Sequence, residues 1–276
     1  MAESWWLKVE RAEHHLKDID AIMRPYEDSH PYEAERIPQP QGQGHIWRYV
    51  LRVTNQPDPT LAVLVGDFVH NLRSALDHIA VAVAPPQRWK SAGFPICFED
   101  IWKENPDGTY VSNDEQARKR FNSMVDGMPD GAVTRIKRLQ PYTNPPQDIP
   151  AHPIGVLSRL EHADKHRSLI ALGSGVENGN TIVSARGQTL EQDAFGFRPD
   201  DAEVAKFAPV GPEMVGLQES EVNVDVRGPT VIAIRVGRGQ DVANYNARAT
   251  LAGPGAGILD AVKDALGRLE DFLPPV

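Results

Sequence analysis

The sequence is short of several things, and each shortage excludes something. It has a single cysteine, Cys97, in 276 residues, so neither an internal disulfide nor a cysteine-built zinc framework is available. Long apolar runs are missing: 61-LAVLV-65 falls far below the roughly 20 residues that span a bilayer. The first residues, MAESWWLKVERAEHHLKD, have neither the cationic start nor the apolar stretch of a secretory signal. Positive charge is also in deficit. Against 38 Asp and Glu there are 29 Lys and Arg, a net charge of −9, which excludes a wholesale basic surface but leaves room for a local basic cleft. There is no repeat, no low-complexity tract, no G-x-S-x-G and no C-x-x-C. The expectation is a soluble, reduced, cytoplasmic chain with no membrane partner, and with no support for acyl-transfer or thiol chemistry.

The patterns that are present suggest an α+β fold. Trp5, Val9, Ala12, Leu16, Ile19 and Met23 recur at helical spacing, and Pro25 is expected to stop that helix. Residues 26–44, rich in Pro, Gln and Gly, read as a loop, and 46–54 alternate as a strand. A long helix is predicted over 60–84, an irregular insertion over 87–112, two short helices within 113–140, and another helix at 154–168. From 169 to 250 short apolar runs alternate with glycines, and EVNVDVRG and TVIAIRVG, separated by Gly228-Pro229, suggest a hairpin. Ile258, Leu259, Val262, Ala265, Leu266, Leu269 and Phe272 mark a closing amphipathic helix. The expected architecture is a mainly helical N-terminal bundle with one early strand (1–168), packed with a mainly antiparallel sheet and a C-terminal helix (169–276).

Helix 60–84 carries the chemistry. At about 100° per residue, Leu64, Val65, Phe68, Val69, Leu72, Ala75, Leu76, Ile79 and Ala80 fall on one half, and Asp67, His70, Asn71, Arg73, Ser74, Asp77 and His78 on the other. The polar half has none of the Lys, Glu and Gln of a solvated face. Its short groups hydrogen-bond, bind phosphate or move protons near neutrality, and several are mediocre helix formers. Two readings follow: a buried polar seam, with Arg73 and Asp77 paired at i,i+4, or a site.

Arg73 and His78 make an R-x4-H pattern that resembles the HEPN superfamily of helical bundles, in which R-x4-6-H carries metal-independent RNA cleavage. The resemblance implies an endoribonuclease of toxin or phage-defence type, acting on RNA without a cofactor as a homodimer whose two motifs share a cleft. It also implies Arg73 on phosphate and His78 as general acid/base, with His70, Asn71, Ser74 and Asp77 in support. Guanidinium and imidazole suit those tasks. Five residues are about 140° of helix, so the two groups mark opposite edges of the polar stripe, as a cleft completed by a partner requires. Ser74 departs from the Asn, Asp or His frequent after the family's Arg. The strings GDFVHNLRSALDH (66–78), FPI (94–96), LQPY (139–142) and DKHR (164–167) also resemble a widespread family of uncharacterised bacterial proteins, a likeness that implies no activity.

The helix at 154–168 holds a second polar cluster. His162 and His166 share one face at i,i+4, while Asp164 and Arg167 lean toward the apolar side. Either these groups pair to fix the packing, or Asp164, His166 and Arg167 orient Arg73 or His78. A rival chemistry is a metal-dependent hydrolase using His70, His78, His162 and His166, although no HExxH is present. Arg118-Lys119-Arg120 and Arg135-Lys137-Arg138 are candidates for a local basic surface. His14-His15 reads as surface, and Trp5 and Trp6 as a partner surface with one of them in the core. Gly253-Pro254-Gly255-Ala256-Gly257 precedes a helix, where backbone N–H groups can hold an anion. A non-catalytic binding or scaffold protein, whose polar seam specifies packing or dimerisation, is the alternative to the nuclease.

Overall fold

A computed structural model describes residues 3–37, 47–105, 114–145, 151–167, 171–186, 188–195, 198–207, 218, 221–236, 243–255 and 257–274. The fold is α+β, with antiparallel strand pairs and helices at both ends of the chain. Among the described residues, helices α1 (Ser4–Asp28), α2 (Thr60–Val83), α3 (Glu115–Val125), α4 (Asp130–Arg138), α5 (Pro153–Arg167), α6 (Ala247–Ala252) and α7 (Ile258–Glu270) are joined by runs of strands. The chain forms two compact units, each drawn from separated segments. A helical unit takes Met1–Ile19, Ala62–Ile170 and Arg248–Val276, and a sheet unit takes Asp20–Leu61 and Ala171–Ala247.

In the helical unit α2 is the central rod. Phe68, Val69, Leu72, Ala75, Leu76, Ile79 and Ala80 on its apolar half are fully buried. Each large side chain among them contributes about 1.5–3 kcal/mol by leaving water. Pro85 and Pro86 end the helix. Asp114 caps α3 by accepting the Ala117 N–H at 2.8 Å, and α4 ends on Arg135, Lys137 and Arg138, charges that suit a helix C-terminus. The six apolar residues Ile258, Leu259, Val262, Ala265, Leu266 and Leu269 form the buried face of α7, which packs on α5 and α4. At its far end Glu270 Oε1 accepts from Trp5 Nε1 at 3.0 Å and Trp6 Nε1 at 2.5 Å, which ties the two chain ends together. Trp5 is therefore core and Trp6 half-buried.

The sheet unit comprises β1 (Tyr32–Ile37), β2 (Trp47–Val53), β3 (Ala171–Val176), β4 (Gly179–Ala185), β5 (Gln188–Phe195), β6 (Arg198–Pro199), β7 (Glu203–Phe207), β8 (Val222–Arg227), β9 (Thr230–Val236) and β10 (Ala243–Asn246). The strand orders are β1-β2-β7, β10-β9-β3-β6 and β5-β4-β8. Tyr49 and Leu51 of β2 pack with Val176, Val183, Val204, Ala205 and Val226 in this unit's core, so the early strand joins the later ones as its alternation suggests.

Four expectations need correction. Pro25 lies inside α1, which runs on to Asp28. The ring removes only one late hydrogen bond, the Ser29 N–H reaches back to the Pro25 carbonyl at 3.2 Å, and buried Tyr26 anchors the last turn through Oη to the Asn55 carbonyl at 2.7 Å. The stretch 26–44, expected as loop, contains β1 over 32–37, whose charged residues disguise a strand at the sheet edge; 38–44 lie outside the described residues. His15 is buried, its Nδ1 without a hydrogen bond among the described residues, because it falls on the inner face of α1 with Ala12 and Ile19. Gly228-Pro229 is not a hairpin turn. Here β8 pairs with β4 and β9 with β3, so the chain crosses between sheets. Gly228 has φ +151°, and a Cβ on it would lie 2.6 Å from Val176 Cγ1 and 2.7 Å from Gly179 Cα. The crossing is tight, and the Pro229 carbonyl accepts the Glu177 N–H at 3.1 Å beside it.

Candidate functional site

The polar half of α2 divides in two by burial. Asp67, His70 and His78 are exposed, whereas Asn71 is buried and Arg73, Ser74 and Asp77 are half-buried. Asn71 turns back on its own helix, with Nδ2 donating to the Asp67 carbonyl at 2.8 Å. Arg73 and Asp77 work outward. Arg73 Nη2 donates to Asp77 Oδ1 at 2.9 Å and to the Phe94 carbonyl at 2.7 Å, and Asp77 Oδ1 accepts the Phe94 N–H at 3.0 Å. A helical ion pair thus holds both backbone polar groups of one residue in the irregular segment after α2. The Arg73 side chain is 14% exposed and that of Asp77 39%, so the guanidinium end of these charge-assisted bonds is the better shielded from solvent.

The same segment is held from its other side by Gln140, which is fully buried just beyond α4. Gln140 Oε1 accepts the Cys97 N–H at 2.7 Å, while Nε2 donates to the Pro95 carbonyl at 3.0 Å and the Ile136 carbonyl at 2.9 Å. The Gly93 N–H donates to the Met124 carbonyl at 3.2 Å, which ties the end of α3 to the segment's start. The strings FPI, LQPY and LRSALD therefore meet as one bracket around residues 93–97. Phe94 is fully buried beneath it.

Behind the bracket is a cavity of about 270 Å³. Residues 94–97 form one wall, Arg73 of α2 a second, Ala117, Arg120, Phe121 and Met124 of α3 a third, and Ser158 and Glu161 of α5 a fourth. Its polar groups are two guanidiniums, a hydroxyl, a carboxylate and the Cys97 thiol. Glu161 is half-buried and ion-paired with Lys165. Burial, helped by the negative charge of Asp114, pushes the Cys97 thiol up to about 11, so it is protonated at neutral pH and is no nucleophile. Neighbouring Tyr142 is pushed up to about 12 by burial and by Asp100 and Cys97.

His78 stands apart from this cavity. It is exposed, with Nδ1 3.1 Å from Ser4 Oγ at the start of α1. One protomer therefore does not bring Arg73 and His78 to a common cleft, in keeping with their angular separation on α2. Asp164 lies not at either of them but against Gly66: a Cβ on Gly66 would be 2.7 Å from Asp164 Oδ1, so the missing side chain is what admits the carboxylate. The side chains of His166 and Arg167 lie outside the described residues. Exposed His162 is on α5, and His70 and His78 are two turns apart on α2. Among the described residues no three of His, Cys, Asp and Glu come together as metal ligands.

Several side chains of the basic triplets have partners. Arg118 Nη1 donates to the Ile101 carbonyl at 3.1 Å, Lys119 pairs with Glu115 at 2.8 Å, and Lys137 sits 4.3 Å over the Trp102 ring. In the glycine-rich turn before α7 the Gly255 N–H is taken by Asp260 at 2.9 Å, which leaves that donor unavailable to an anion. Among the described residues no helix is long and apolar enough to cross a membrane.

No family model, curated protein or solved structure matches the chain. The site must be read from its own geometry. Its residues Phe94–Cys97, Arg120, Gln140, Ser158 and Glu161 were not singled out as a site by sequence. The available signal was the FPI and LQPY strings themselves, together with a basic triplet in which only Arg120 faces the cavity.

Proposed function

We propose that this chain is a binding protein, in which the polar half of α2 serves to build and hold a ligand cavity. The observation that carries this reading is the double grip of Arg73 and Asp77 on Phe94, which secures a cavity wall and commits both charges to structure. A group that must move with substrate is a poor choice for such a clamp, whereas a wall that must not move needs one.

The second reading is the HEPN-like, metal-independent endoribonuclease, with RNA as substrate and a homodimer as the active form. His78 favours it. The imidazole is exposed, and its contact with Ser4 Oγ engages Nδ1 and leaves Nε2 without a hydrogen bond among the described residues, as a general acid/base needs.

Cleavage of mixed single-stranded RNA in EDTA by the wild type, Arg73→Ala and His78→Ala, with thermal stability measured on each, separates the two. The binding reading predicts no cleavage, a loss of about 2 kcal/mol in Arg73→Ala from the orphaned Asp77 and Phe94 groups, and little change in His78→Ala. Cleavage that leaves cyclic-phosphate ends, and that disappears in a stably folded His78→Ala, would establish the nuclease instead.

A further inference from the structure

The cavity holds more positive charge than its walls need. Arg120 lines it from α3, is exposed, and has no hydrogen bond or ion pair among the described residues. Arg73 lines it from α2, and both of its hydrogen bonds leave from Nη2, so Nε and Nη1 are uncommitted among the described residues. The one carboxylate in the lining, Glu161, is already paired with Lys165. Arg73 is paired with Asp77, so Arg120 is left without a counter-charge among the described residues, in a chain whose net charge is −9. An anion seated in the cavity supplies that counter-charge. Phe94, Ile96, Phe121 and Met124 supply an apolar part of the lining.

We propose that the cavity binds a small organic anion, a carboxylate or phosphate monoester carried on a short apolar body. Arg120 keeps a complete fork for a bidentate contact. Arg73, its charge already paired with Asp77, supplies single hydrogen bonds from Nε or Nη1, because its clamp on Phe94 uses the nitrogen that both fork edges share. The Ser158 hydroxyl lines the same space as a third donor. At about 30 Å³ per water, 270 Å³ holds about nine waters, so the ligand has on the order of ten non-hydrogen atoms. This assignment rests on the binding-protein reading and adds the ligand's chemistry to it.

Calorimetric titration of the full chain with benzoate, phenyl phosphate, inorganic phosphate and benzamide tests the assignment, with Arg120→Gln as the variant. Benzoate or phenyl phosphate is expected to bind one per chain and to displace the other, and the tighter of the two identifies the head group. Benzamide, the neutral counterpart, should bind at least tenfold more weakly. Arg120→Gln should weaken the anions at least tenfold without moving the melting temperature, since the side chain is exposed and unpaired among the described residues. Benzamide binding as well as benzoate, with no effect of Arg120→Gln, would overturn the anion while leaving a binding cavity in place. Inorganic phosphate binding as tightly as phenyl phosphate would overturn the apolar body. No saturable binding by any probe would overturn the ligand class, while the RNA assay still decides between the two functional readings.

Discussion

At the scale of single residues, the centre of the molecule is governed by a few polar side chains that satisfy backbone groups of an irregular segment. Gln140 makes three such bonds from full burial. Gln140→Ala removes all three and leaves the Cys97 N–H and Pro95 carbonyl buried without partners. At about 1–3 kcal/mol per unsatisfied group, the expected loss is about 2–6 kcal/mol by chemical denaturation. A loss within about 0.5 kcal/mol, the range of an ordinary surface substitution, would mean that water replaces the amide. The pairing of Arg73 with Asp77 was legible in the sequence because i,i+4 neighbours on a helix are fixed by local geometry. Their hold on Phe94 was not, since a segment 17 and 21 residues away is placed by tertiary packing that no local period encodes. Arg120 was legible only as one member of a basic triplet. Nothing in Arg118-Lys119-Arg120 says which cation faces a cavity, because that depends on where α3 lands.

At the scale of elements, the helices with strong 3.6-residue periodicity stand where the apolar pattern puts them: α2 at 60–83, α5 at 153–167 and α7 at 258–270. Their buried faces are made of consecutive turns, so the sequence carries them directly. The misread elements depend on partners far along the chain. β1 is a strand because β2 lies beside it, and Tyr26 carries α1 past Pro25 because the Asn55 carbonyl receives its hydroxyl. The Gly228-Pro229 step looks like a turn in isolation and is a crossing between sheets in context. Gly228→Ala therefore meets the Val176 side chain and the Gly179 backbone together, and also strains φ +151°. It should destabilise the sheet unit by about 2–4 kcal/mol, seen as a lower midpoint in urea. An unchanged midpoint would mean that the crossing relaxes freely.

At the scale of the whole molecule, each unit is assembled from segments that are distant in sequence. The helical unit closes with α7 from the C-terminus, and the sheet unit borrows β1 and β2 from the first quarter of the chain. The α+β class was legible from the succession of helical and strand patterns, whereas this interleaving depends on long-range pairing. The cavity belongs to the helical unit alone, where α2, α3, α5 and the bracketed segment surround it. The bracketed segment is held from both sides, and amide hydrogen exchange reads this directly. In the wild type the Phe94 and Cys97 N–H groups should exchange on the order of 100-fold more slowly than in an unstructured chain, about 2.7 kcal/mol of opening free energy. Asp77→Ala should release Phe94 while Cys97, held by Gln140, stays protected. Fast exchange of Phe94 in the wild type, or protection unchanged in Asp77→Ala, would contradict the clamp and with it the structural role given to the polar face of α2.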